Sequence, residues 1–185
     1  MDYTEELGDL YLEAHVEIET NAPSPLVEEM EITVFVDSDH AHDQATRKSI
    51  TGIVIFVGQT PVFYFSKRQG AISTSTYGTE FCAMKTTAAE ELIAVRYMLR
   101  CLGVKVLHAS LIWGDNLGVI QNCTIKDSLL KKKHIAIAYH KTREAAASGI
   151  GHPIQNPGTV HYADCLIKCQ TLNCFPTLIG GMMRG

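Results

Sequence analysis

Four carboxylates stand where they could do chemistry together. Asp37 follows five consecutive apolar or β-branched residues, Ile32 to Val36, and Asp115 follows Leu111-Ile112-Trp113-Gly114. Glu80 sits about one turn into a helical pattern among small and apolar neighbours, and Asp164 lies in the last helical segment. Acids at strand ends and early in a helix are placed to converge at one edge of a sheet. Carboxylates so gathered repel one another unless a cation neutralises them, and hard divalent ions with oxygen ligands do this. Taken singly, each acid is equally at home as a helix cap, a turn residue or a solvated charge.

The elements that must position them follow from periodicity. EITVFVDS (31–38) reads as a buried strand over 31–37, and TGIVIFVG (51–58) and PVFYFSK (61–67) as a hairpin turning at Gly58-Gln59. Ser73 to Thr76 offer caps for a long amphipathic helix whose apolar positions recur at spacings of three and four as far as Leu102, with Gly103 as its stop. VLHASLIWGD carries a fourth strand over 109–114, NLGVIQNC a short helix, residues 131–148 another helix and HYADCLIKC a terminal helical turn. Between the last two, GIGHPIQNPG should hold a fifth strand. Pro153 and Pro157 interrupt it, which predicts that Asp164 is poorly positioned. The order predicts strand 31–37 in a central place, the hairpin antiparallel on one side and strand 109–114 parallel on the other, with helices on both faces of a mixed α/β sheet. Gly52, Gly58 and Gly70 read as turn residues.

With 185 residues, 46% hydrophobic and 19% charged, the chain has the composition of one globular domain. No apolar run approaches the roughly 18 residues of a membrane span, and the first twenty residues lack the basic start and apolar core of a signal peptide. An intracellular protein without a membrane partner is expected. The net charge of −4 hides an asymmetry: residues 1–31 hold ten acids and no Lys or Arg, so all 16 basic residues fall on a basic body. Such a body permits a polyanionic partner. Residues 1–30 read as an acidic leader or linker, 31–168 as the domain and 169–185 as a tail.

The ordered motifs SITG, YFSKRQ, STYGTEF, LIWGDN, KKHIAIAYHKTRE and YADCLIK, after the acidic DSDHAHD, resemble the ribonuclease H domain of copia-type retrotransposon polyproteins across residues 31–168. The resemblance implies a five-stranded RNase H-like sheet and two-metal hydrolysis of the RNA strand of an RNA–DNA hybrid. It implies Asp37, Glu80, Asp115 and Asp164 as catalytic, metal-binding residues holding two Mg²⁺ ions, with Mn²⁺ an alternative. Asp37 would bridge both ions, Glu80 and Asp115 would complete the leaving-group ion, and Asp164 the water-side ion. The acidic leader resembles the connection to an upstream reverse transcriptase, which would place the protein in the cytoplasm, a virus-like particle or the nucleus.

Lys67, Arg68, Asn116 and the run Lys131-Lys132-Lys133 are the candidates for nucleic-acid contact, sequence-independent and salt-sensitive where they meet phosphate. His40 and His42 are spaced for a metal but read as surface histidines, and His140 as a helix residue packing beside Tyr139. The six cysteines read as reduced thiols. The rival reading is a catalytically weakened or inactive remnant of the same fold serving as a binding or structural module, which the divergent C-terminal segment favours.

Overall fold

The computed structural model describes residues 7–16, 20–21, 24, 29–41, 43, 45–130, 133–156, 161–168 and 180. Its centre is β1 (Ile32–Asp39), whose alternating side chains serve two faces at once. β2 (Ile50–Val57) and β3 (Thr60–Arg68) follow as an antiparallel hairpin turned at Gly58, whose φ of +59° suits glycine. β4 (Ser110–Gly114) and β5 (Gly151–Gln155) lie parallel on the other side, giving the order β3-β2-β1-β4-β5. The central place of β1 and its pairing with β4 agree with the expectation from sequence.

The long helix spans residues 76–101 with one irregularity. α1 (Thr76–Thr86) passes through a widened π turn (Thr87–Glu91) into α2 (Leu92–Cys101), and Gly103 (φ +76°) ends it. Periodicity alone does not show a π turn, because apolar spacings of three and four continue through it. α3 (Leu117–Thr124) and α4 (Ala136–Ala147) complete this layer. Ile32, Val34, Val36, Ile53 and Ile55 of the sheet are buried against Phe81, Met84, Ala88, Leu92 and Val95 of the long helix. Burial of each such large side chain contributes about 1.5–3 kcal/mol. On the opposite face Phe35, Val54 and Phe56 meet Tyr162, Cys165 and Leu166, carried by the one-turn helix α5 (Asp164–Ile167) and the residues before it. Helices therefore cover both faces, as the sequence predicted.

Three expectations need correction. β1 does not stop at Asp37 but continues to Asp39 against Thr51 and Ile50, while its pairing with β4 ends at Phe35. Asp37 thus projects from a strand held on one side and open on the other. The expected fifth strand forms, but Pro153 does not interrupt it as predicted, because β5 is an edge strand, where a missing backbone donor costs little; Pro157 lies outside the described residues. Gly52 is no turn residue either: it is paired with Asp37 in mid-strand, under α5. The leader is described in part, and its Leu7 is fully buried against Ala146 and Ala147 of α4. The predicted tail, apart from Gly180, lies outside the described residues, as do His42, Cys169 and Cys174. The described cysteines, Cys82, Cys101, Cys123 and Cys165, are free thiols, in line with the reduced state expected.

A Cβ on Gly52 would stand 2.7 Å from Ile167 Cγ2 and 3.0 Å from the Ala163 carbonyl oxygen, so glycine lets α5 lie flat on the sheet beside Asp37. Gly52→Ala should therefore destabilise the fold by about 1–3 kcal/mol through overpacking. Gly70→Ala, with nothing within 4 Å of its added carbon, should be close to neutral. Thermal unfolding of the two variants compares them directly; equal midpoints would show that α5 does not seat on Gly52.

Candidate metal centre

Asp37, Glu80 and Asp115 are delivered by three different elements. In the β1–β4 register Phe35 stands beside Trp113, so Asp37 and Asp115, each two residues further, leave the carboxyl ends of adjacent parallel strands at the same level. Acidic groups and ligands gather at such strand ends in open α/β sheets. Glu80 arrives from α1. Ser75 caps that helix by accepting from the Gly78 N–H at 3.2 Å, and Ser38 Oγ donates to Thr79 Oγ1 at 3.1 Å, tying the end of β1 to the first turn. Gln69 adds a second tie, its Nε2 donating to Thr51 Oγ1 and to the Thr79 carbonyl. One carboxylate oxygen from each of Asp37, Glu80 and Asp115 lies within 4.8 Å of the others.

Asp164 joins from the opposite face of the sheet. Asp37, His161 and Asp164 form a second group whose donor atoms also lie within 4.8 Å of one another. Asp37 therefore belongs to both groups and is 2% exposed. Poor positioning of Asp164, expected from the two prolines, is not what is seen, since packing of Tyr162, Cys165 and Leu166 on the sheet holds the segment.

The electrostatics are those of crowded, desolvated acids. Burial, then the charges of Asp115 and Asp37, push Glu80 up to about 9. Burial and the facing Asp164 carboxyl push Asp37 up to about 7. Burial also acts to raise Asp164, but its contacts with Asp37 and Lys168 outweigh that and leave it below the ordinary carboxylate range. Lys168 Nζ donates to Asp37 Oδ2 at 2.8 Å and to Asp164 Oδ1 at 2.7 Å. Burial keeps His161 below the ordinary imidazole range. The three-carboxylate group fits a hard divalent cation, which needs oxygen ligands and relieves their repulsion.

The remaining expected site residues are dispersed. Lys67 is exposed at the site end of β3, opposite Thr51, which pairs with Ser38. Arg68 Nη1 is bonded to Asp43 Oδ2 at 2.9 Å. Asn116 caps α3, accepting from the Val119 N–H, so its carbonyl oxygen is already used. Lys133 is exposed at the start of a 3₁₀ turn, and Lys131 and Lys132 lie outside the described residues. His140 Nδ1 shares a hydrogen bond with Tyr11 Oη at 2.9 Å, and its ring lies 5.1 Å from that of Tyr139, away from the acids. Two residues of the centre, His161 and Lys168, carry no mark in the sequence as chemical groups; the only signal was the four-residue spacing from Asp164 to Lys168 within a helical turn. Arg143, in the motif that contains His140, is structural: its guanidinium is buried and donates to the carbonyls of Asn122, Ile125 and Lys126.

Because Glu80 keeps its proton to about pH 9 in the fold against an ordinary 4.5, the folded chain binds more protons than the unfolded chain between those values. Stability without metal should thus fall as pH rises through that window. Glu80→Gln should raise the metal-free melting temperature at pH 8 by at least about 2–4 °C. The gain should shrink toward pH 4.5, where the carboxyl becomes protonated in the unfolded chain as well as in the fold. Melting curves of parent and variant across pH test this; a gain independent of pH would remove the burial of a reluctant carboxylate as its cause.

Comparison with protein-family models finds no match. The chain is 27% identical over 139 residues, 75% of its length, to the retrovirus-related Pol polyprotein from transposon RE2 of Arabidopsis thaliana, and equally so to that from transposon RE1. It spans about a tenth of the length of these relatives. Among solved structures it resembles the N-terminal RNase H domain of a Mycobacterium tuberculosis protein, with a TM-score of 0.53 at 13% identity, covering 82% of this chain and 98% of that one. RNase H1 of the halophilic archaeon Halobacterium salinarum gives a TM-score of 0.51 at 14% identity, covering 75% of this chain and 94% of that one. No helix among the described residues is long and apolar enough to cross a membrane. The chain has the RNase H fold, and across three quarters of its length its homologues include the Pol polyproteins of these two transposons.

Proposed function

We propose that this chain is a divalent-metal-dependent endonuclease that hydrolyses the RNA strand of RNA–DNA hybrids, retrotransposon-derived and acting inside the cell, with the reverse transcriptase portion of a polyprotein as its partner if one is present upstream. The observation that supports it most is the convergence of Asp37, Glu80 and Asp115 within 4.8 Å at the carboxyl ends of adjacent parallel strands. Mg²⁺, or Mn²⁺ in its place, supplies an activated water and neutralises charge at the scissile phosphate and its departing 3′ oxygen.

The chain's own residues do the rest. Asp37, common to both acid groups, would serve as a ligand on either side. Glu80 and Asp115 complete the leaving-group side, and Asp164 serves the water side. The rigidity of β1 and β4 and the tie from Ser38 to Thr79 hold the first group ready, so little reorganisation is needed when a phosphate arrives. Lys67 and Lys133, both exposed, are cations available to phosphates of the hybrid. Choice of RNA over DNA rests on 2′-hydroxyls and hybrid shape. A weaker enzyme is the second reading, favoured by the ammonium of Lys168 seated between Asp37 and Asp164.

Asp115→Asn keeps the side-chain shape and removes one of the crowded charges. It should lower cleavage of a labelled RNA–DNA hybrid in Mg²⁺ by at least about a hundredfold. The metal-free variant should melt no lower than the parent, since repulsion is relieved. Cleavage at the parental rate would overturn the assignment of Asp115 and with it the nuclease reading.

A further inference from the structure

The second acid group differs from the first in two respects. It contains an imidazole, and it is already occupied by a cation from the chain itself. His161 is 6% exposed and lies with a ring nitrogen within 4.8 Å of the Asp37 and Asp164 carboxylate oxygens. Among the described residues neither ring nitrogen makes a hydrogen bond of ordinary geometry, although the Trp113 backbone stands nearby. Buried polar atoms left so are uncommon and costly, and a strained, catalytic or ion-binding place is where they occur. Phe35 meets the ring edge-on at 5.8 Å, which fixes its plane against the sheet. Lys168 reaches the same place from one turn along α5, with Nζ 2.8 Å from Asp37 and 2.7 Å from Asp164. Its side chain is half exposed, so the ammonium has open water to move into.

We propose that His161 is a further ligand at the water-side place already given to Asp37 and Asp164, that Lys168 closes this place with its ammonium, and that a divalent ion enters only when Lys168 swings out. The donor set decides which ion. Two carboxylates and an imidazole suit a first-row transition ion such as Mn²⁺ better than Mg²⁺, which keeps to oxygen ligands in strict octahedral geometry. In the closed form Lys168 holds Asp37 and Asp164 together by neutralising them, so the site is ready before the second ion arrives. The proposal rests on the nuclease reading for its purpose, but its substance is metal binding.

Titration of the full chain with Mn²⁺ and separately with Mg²⁺, followed by calorimetry and by the spin-resonance signal of free Mn²⁺, tests it without nucleic acid. The parent should bind one Mn²⁺ well and a second weakly. Lys168→Met, and Lys168→Gln as its polar control, should strengthen the second Mn²⁺ step by about ten- to a hundredfold, the size typical of changes to groups that contact metal ligands. Adding His161→Gln to Lys168→Met should reverse most of that gain for Mn²⁺ and leave the first step and the Mg²⁺ titration nearly unchanged. Circular dichroism and melting curves establish that each variant is folded. Second-step affinities in both Lys168 variants equal to the parent's would overturn the closing role, and a Mn²⁺ preference that survives His161→Gln would overturn the imidazole ligand. Loss of hybrid cleavage in a protein with the expected titrations would count against the nuclease reading alone.

Discussion

Mutual repulsion among carboxylates withdrawn from water is the constraint around which this molecule is built. Asp37 and Glu80 are 2% and 7% exposed and stand with Asp115 within 4.8 Å. A fold that only had to be stable would not gather them, because each ionisation in so dry a place makes the next harder. Burial and neighbouring charge push Glu80 up to about 9 and Asp37 up to about 7, and the ammonium of Lys168 sits against Asp37 and Asp164. A divalent ion would relieve the repulsion further, and the proposed metal centre rests on this.

The rest of the structure holds the acids in that costly arrangement. β1 is paired on both sides over its first half, and only past Phe35 does the β4 side open, which leaves Asp37 fixed in backbone and free at one flank. Ser38 and Gln69 bind the strand ends to α1, so that Glu80 cannot retreat from Asp37 without breaking hydrogen bonds. On the far face, absence of a side chain at Gly52 brings α5 down until Ile167 and Ala163 touch the sheet. The same contact delivers Asp164, His161 and Lys168 to the other side of Asp37. One buried aspartate is thus shared by two groups of candidate cation ligands of different chemistry.

Much of this was legible in the sequence. The β-branched run before Asp37, the apolar run before Asp115 and the three-and-four spacing around Glu80 determined strands and a helix, since burial of a face demands those periods. The order of these elements, hairpin first and then strands reached through helices, determined the mixed sheet and put the acids at one edge. Only the tertiary structure decided what depends on register and on packing between distant segments. The level shared by Asp37 and Asp115 follows from the pairing of Phe35 with Trp113, which no local pattern encodes. Pro153 looked like a strand breaker and is tolerated because β5 falls at an edge, a property of the whole sheet. Gly52 looked like a turn residue because its use, a close approach by α5, lies more than a hundred residues along the chain. For the same reason Lys168 and His161 could not be seen: their roles come from the space around Asp37, and sequence spacing measures distance along a helix or strand but not across a sheet.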